Sequence, residues 1–161
     1  MGLDMYLHAN KDVPLEVATM MAKADNGKEW WDAEFRDYNN ESWMGNTATA
    51  KAGDIVTAVA RVGYWRKANA IHGWFVENVQ GGDDDCEEYE VSTGQLQQLR
   101  AACQEVLDTG GATDDIRPRE GFLFGTDDIE YMLDDCKDTI KQIDQVLKKY
   151  PDWVYTYQSS W

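Results

Sequence analysis

Histidine, cysteine, proline and positive charge are all scarce in this chain. It has two histidines, three cysteines, three prolines and fifteen lysines and arginines in 161 residues. No apolar run approaches the roughly 18 residues needed to cross a bilayer, so no membrane partner is expected. The opening Met1-Gly2-Leu3-Asp4-Met5-Tyr6 has neither a basic nor an apolar leader segment, which predicts a cytoplasmic protein. Gly2 invites a myristoylation check, but Tyr6 stands where Ser or Thr is required. Cys86, Cys103 and Cys136 are odd in number and widely spaced, which predicts reduced thiols rather than a disulfide framework or a zinc site. His8 and His72 are the only histidines and lie far apart in sequence, so neither a metal nor a cofactor is expected. Nucleophile-elbow and phosphate-loop motifs are also absent.

Acidic charge is abundant. Thirty Asp and Glu residues give a formal net charge of −15, a field that repels nucleic-acid polymers and anionic membranes. Such a surface serves solubility or imitates DNA, and the sign of the charge does not choose between them. Asp83-Asp84-Asp85 with Glu87 and Glu88 lacks the spacing of a calcium loop and reads as a solvated turn.

The pattern along the chain predicts one α+β domain over 1–161. It would have a largely antiparallel sheet of three to four short strands, packed with about three main helices. Leu3, Met5 and Leu7 alternate with Asp4, Tyr6 and His8, the period of a half-buried strand. Residues 14–24 suit a short helix behind Pro14. Residues 26–53 form an irregular, aromatic-rich insertion with Trp30, Trp31, Phe35, Tyr38 and Trp43. Asp54 to about Val79 contains no proline and reads as one long helix with Asp54 as its cap, kinked at Gly63 or Gly73. Glu87–Val91 suits a short strand, and Ser92 caps a helix with the stripe Leu96, Leu99, Cys103, Val106 and Leu107 that ends near Gly110. Residues 109–126 form a Gly-rich loop. The clearest helix carries Ile129, Met132, Leu133, Cys136, Ile140, Ile143, Val146 and Leu147, and Pro151 marks its end. The aromatic tail from Trp153 to Trp161 is expected to dock in the sheet.

The unusual chemistry is concentrated in Tyr64-Trp65-Arg66-Lys67-Ala68-Asn69-Ala70-Ile71-His72. On a helix of about 100° per residue, Trp65, Asn69, His72 and Val76 share one stripe within roughly 40°. Trp offers a stacking surface, and Asn and His offer two-way hydrogen bonds. Arg66 and Lys67 make this the densest basic cluster of an acidic protein. That combination predicts a pocket for a small anion rather than a polymer. Trp65 would stack on a ring, Arg66 and Lys67 would neutralise phosphate, and Asn69 and His72 would read polar edges. Asp4, Tyr6, Gln158, Ser159 and Trp161 would form the secondary wall. Ordinary packing of Trp65 and His72, with Arg66 and Lys67 solvated, is the competing explanation. A catalytic alternative uses His72 as general base oriented by Asp4. An assembly factor that binds no small molecule is a further alternative.

Three signatures spread over the whole chain are Gly2-Leu3-Asp4-Met5-Tyr6-Leu7, the central motif followed by Trp74-Phe75, and the closing Gln158-Ser159-Ser160-Trp161. Together they resemble a family of small proteins encoded by bacteriophages and prophages. The resemblance implies a counter-defence setting. One role there is a sponge that sequesters a nucleotide signal of the host's immunity without catalysis, typically as a homo-oligomer. An acidic inhibitor that imitates DNA and binds a host defence complex is another.

Overall fold

A computed structural model describes residues 2–24, 51–121, 125–126 and 128–161. The predicted aromatic insertion lies outside these residues apart from its last three positions, as do Phe122 and Phe124. The elements run in order β1 (Asp4–Pro14), α1 (Leu15–Ala24), β2 (Ile55–Arg66), α2 (Asn69–Asn78), β3 (Tyr89–Val91) and α3 (Thr93–Thr109). After these come β4 (Glu120–Gly121), β5 (Gly125–Thr126), α4 (Ile129–Lys149) and β6 (Val154–Ser160). The fold is α+β, with a four-stranded sheet in the order β2-β1-β6-β3 and a small β4-β5 ribbon. Strand β3 pairs antiparallel with β6, Tyr89 opposite Tyr157 and Val91 opposite Tyr155. Strand β1 also runs antiparallel to β2, since Lys67 N–H donates to Leu3 C=O while Leu15 N–H donates to Asp54 C=O.

The expected long helix from Asp54 to Val79 is corrected. Residues 55–66 form strand β2, and helix begins only at Asn69. The β-branched and aromatic run Ile55, Val56, Thr57, Val59, Val62, Tyr64 and Trp65 fits a pleated surface better than a helix. Asp54 therefore caps no helix. Its carboxylate accepts from Lys51 N–H at 2.7 Å and its own N–H donates to Lys51 C=O, closing a turn before β2.

The chain divides into two compact units, residues 8–61 and residues 1–7 with 62–161. In the first, Thr57 donates to the Asp12 carboxylate at 2.7 Å, and α1 buries Ala18. In the second, Leu3, Met5 and Leu7 are fully buried, and Tyr155 and Tyr157 of β6 point into the core. Phe75 of α2 stacks on Tyr157 with ring centroids 3.8 Å apart and planes 7° from parallel. Helices α3 and α4 pack together; α3 buries Leu96, Leu99, Cys103 and Val106, and α4 buries Met132, Cys136, Thr139 and Ile143. Arg100 joins them at the surface through a two-pronged bond to Asp144, at 2.6 and 3.0 Å.

Helix α3 begins with a reciprocal cap. The Ser92 hydroxyl accepts from Gln95 N–H, and the Gln95 side chain accepts from Ser92 N–H. It ends at Gly110, whose left-handed φ of +71° suits glycine.

Gly73 has a different task from the predicted kink. A Cβ there would overlap the Arg119 side chain, which lies across α2 and pairs with Glu77 one turn on. Arg119 sits at the end of a flexible side chain, so Gly73→Ala should displace it rather than break the helix. Alanine gains about 1 kcal/mol of helix propensity, while surface ion pairs contribute about 0–1 kcal/mol. We therefore expect a net stability change below about 1 kcal/mol. The measurement is a urea double-mutant cycle between Arg119 and Glu77, repeated in the Gly73→Ala background. A coupling that survives there would show that Arg119 does not need the glycine.

Candidate functional site

Strand alternation decides which central residues meet solvent. Tyr64 and Arg66 point outward and Trp65 points inward. On the neighbouring strand Asp4 and Tyr6 face out while Leu3, Met5 and Leu7 face the core. Four predicted or neighbouring side chains therefore share one outer face. The Tyr64 hydroxyl donates to the Asp4 carboxylate, and Arg66 Nε lies 3.9 Å from the same oxygen. Tyr64 and Tyr6 form a tilted pair with centroids 5.5 Å apart. The bond to Asp4 raises the Tyr64 phenol above its ordinary pKa, with smaller contributions from burial and from the Asp4 charge. Tyr64 N–H donates to Gln142 Oε1 at 2.8 Å, which ties the strand to α4.

Lys67 follows at once, in left-handed backbone with φ +58°. For a residue with a Cβ this conformation costs roughly 1–2 kcal/mol. It is held by Lys67 N–H donating to Leu3 C=O and by Asn69 N–H donating to Lys67 C=O. The Lys67 stem passes over Gly2, where a Cβ would meet Lys67 Cε at 3.5 Å. The turn delivers Lys67 to the amino end of α2, which no side chain caps. Asn69, the first residue of that helix, is only 5 % exposed, and its Oδ1 has no hydrogen-bond partner among the described residues.

Trp65 lies beneath this face, 4 % exposed. Its Nε1–H donates to Thr139 Oγ1 at 2.8 Å, and its ring meets Phe75 edge-on. Stacking on a ligand is therefore open to Tyr6 and Tyr64, not to Trp65. The predicted stripe of Trp65, Asn69 and His72 does not exist, because the first of these is on a strand.

His72, Gln158 and Ser159 gather at a second place. His72 is 6 % exposed, with Nδ1 2.7 Å from the Tyr157 hydroxyl and Nε2 3.0 Å from the Asp84 carboxylate. Burial lowers the imidazole pKa, and the Asp84 charge only partly opposes this. Burial likewise holds the Tyr157 phenol well above its ordinary range, so the phenol keeps its proton. The pattern that satisfies every group is Tyr157 O–H donating to Nδ1 and Nε2–H donating to Asp84. Ser159 donates to Asp85 C=O and Gln158 to Cys86 C=O, at 3.0 and 2.9 Å. Gln80 donates to Asp83 C=O, and Tyr89 to the Asp85 carboxylate. The acidic segment read as a solvated turn is thus pinned to α2 and β6, although several of its carboxylates remain exposed. Trp161 is 44 % exposed beyond the end of β6.

Both imidazole nitrogens are engaged, and the carboxylate beside His72 is Asp84 rather than Asp4. This leaves no ring nitrogen to take a substrate proton. Among the described residues no group of three His, Cys, Asp or Glu side chains is placed to hold a metal ion. No described helix is long and apolar enough to cross a membrane. Sequence reasoning missed Tyr64 as a ring on the outer face, and the signal available was its alternation with Trp65. Compared with known proteins, the chain matches no family model, no curated protein and no solved structure.

Proposed function

We propose that this protein binds a small phosphorylated, nucleotide-like molecule on the face of Asp4, Tyr6, Tyr64, Arg66 and Lys67, and holds it without catalysis. The observation that carries this reading is Lys67. A cationic side chain occupies a left-handed position that glycine would fill without strain, at an uncapped helix end that follows the strand carrying the exposed Tyr64, itself paired with the half-buried Tyr6. Strain of this kind persists where the side chain itself is needed. The tyrosine pair offers a stacking surface for a base. Arg66 and Lys67 offer charge to phosphate, and the amino end of α2 adds partial positive charge. Asn69 Oδ1 is a buried acceptor that a ligand donor would satisfy.

The resemblance to phage proteins supplies the biological side of the proposal. The ligand is a nucleotide signal of host immunity, and the protein acts as a cytoplasmic sponge in the infected cell, working as a homo-oligomer. The buried, doubly bonded His72 weighs against the hydrolase or lyase alternative.

Lys67→Gly is the decisive variant. It removes the charge and also the backbone strain, so its melting temperature should stay within a few degrees of wild type. Its affinity for ATP, cyclic AMP or a cyclic dinucleotide, whichever wild type binds by calorimetry, should fall at least about tenfold, a loss of about 1.4 kcal/mol. Unchanged affinity in Lys67→Gly, or a wild-type protein indifferent to all three probes, would remove the proposal. Recovery of the bound nucleotide intact after denaturation distinguishes holding from turnover.

A second reading has its own observation. Glu130, Asp134 and Asp138 are exposed at four-residue spacing on α4, which sets a row of carboxylates along one helix face. A protein-binding inhibitor that imitates DNA would lose its partner on charge reversal along this row and keep it in Lys67→Gly.

A further inference from the structure

The amino end of α2 gathers polar groups that the protein leaves unpaired. Of the first-turn N–H groups, Asn69 donates to Lys67 C=O and His72 to Ala68 C=O. The helical ladder offers nothing to Ala70 and Ile71, because the carbonyls they would reach belong to Arg66 and Lys67, ahead of the helix. No side chain caps this end. Ala70 and Ile71 are nonetheless buried. Asn69 adds an acceptor, since the residue is 5 % exposed and its Oδ1 has no hydrogen-bond partner among the described residues. A helical Cα–Cβ bond tilts toward the amino end, so a side chain on the first residue reaches back past the first turn. Two donors and one acceptor therefore stand at one helix end, unsatisfied among the described residues.

An anion alone does not complete this set. Phosphate oxygens match the two N–H groups and the positive end of the helix. An ionised phosphate, however, has no proton to give to Asn69 Oδ1. The missing piece is a hydroxyl beside the phosphate. In a ribonucleotide that hydroxyl is the 2′-OH, which neighbours a phosphate carried on the 3′ oxygen and can both donate and accept. Resting on the nucleotide-binding reading, we propose that the ligand is a ribonucleotide with a phosphate on its 3′ oxygen. The phosphate sits on the amino end of α2, and the 2′-OH donates to Asn69 Oδ1. Lys67, held in left-handed backbone two residues earlier, supplies charge at the same end. Asn69 is then the residue that selects ribose. A 2′-deoxy sugar leaves its Oδ1 unpaired, and a phosphate on the 5′ side alone lies too far from the 2′-OH to serve both groups.

Calorimetry on the wild-type protein tests this directly. Cyclic AMP, cyclic GMP and their 3′,5′-linked cyclic dinucleotides are each compared with the 2′-deoxy analogue, and ATP represents nucleotides phosphorylated only on the 5′ side. At least one ribose form should bind at least about tenfold tighter than its 2′-deoxy analogue, a difference of about 1.4 kcal/mol. Asn69→Ala should bring that ratio close to one, weakening the ribose form and leaving the deoxyribose form unchanged. Alanine suits a helix and removes a buried acceptor that lacks a partner, so the variant should fold. The wild-type ratio tests the proposal without it. Equal affinity for ribose and deoxyribose forms would overturn the inference, as would binding of ATP alone, and either result leaves the broader nucleotide reading standing. A ribose preference that persists in Asn69→Ala would also overturn it, by taking the 2′-OH away from Asn69. Indifference to every probe would remove both readings.

Discussion

Trp65→Ala should unfold much of the protein rather than empty a binding site. The ring is 4 % exposed, meets Phe75 edge-on, and uses its only polar atom on Thr139. Truncating a buried Trp to Ala costs about 3–5 kcal/mol, a large part of the roughly 5–15 kcal/mol that keeps most domains folded. At about 2–4 °C per kcal/mol for a chain of this size, the melting temperature should drop by roughly 6–20 °C. Trp65→Phe isolates the hydrogen bond, since most of the ring volume stays while Thr139 loses its donor, and about 1 kcal/mol is expected. Chemical denaturation of both variants gives the numbers. A Trp65→Ala protein with an unchanged midpoint and lost nucleotide binding would return the indole to the ligand and refute its placement in the core.

The second large effect is at His72. His72→Ala leaves the fully buried Tyr157 hydroxyl without its acceptor, frees Asp84, and opens a gap beside Phe75 and Tyr157. The expected loss is roughly 2–4 kcal/mol. The wild-type protein should also show a pH dependence that the variant lacks. Burial lowers the folded-state pKa below the ordinary 6.5. Protonation therefore favours the unfolded chain. The contribution of His72 is fully present above about pH 6.5 and is lost as pH falls from there through the lowered folded value. Urea midpoints measured from pH 8 to pH 5 should be flat at first and then decline, and His72→Ala should remove that part of the decline. Equal slopes in the two proteins would assign the acid sensitivity to other groups.

Much of the fold is legible in the sequence because its signals are local. The alternation of residues 2–8, the Ser92–Gln95 cap, the Gly110 stop, the stripe of α4 and the aromatic tail each find their element. Residues 54–66 mislead because the absence of proline is compatible with a helix, while their β-branched content favours the strand they form. Gly63, a kink in the expected helix, lies instead in β2, where a Cβ would lie 3.1 Å from both Leu7 and Trp65, the crowding of two strands and a ring. The same strand decides the site. A helical wheel put Trp65 beside His72, whereas the pleat turns Trp65 inward and brings out Tyr64. The partners Thr139, Asp84 and Tyr157 lie 74, 12 and 85 positions from the residues they bind. No local pattern encodes such pairings, so they appear only with the tertiary structure.

The order of strands in the sheet also constrains how the protein is made. β6 is an interior strand, between β1 and β3, although it follows every other element along the chain. As the polypeptide leaves the ribosome, β1 and β2 emerge early, and one long edge of β1 has no neighbour until residues 154–160 arrive. An open edge of this kind is a template for pairing with other chains, and closing it demands contacts between distant parts of the sequence, which fold slowly. The α3 and α4 pair, with its local cap and adjoining stripes, can form in the interval and give the late strand a surface to land on. A nascent chain stalled before Val154 would present that edge for as long as the stall lasts.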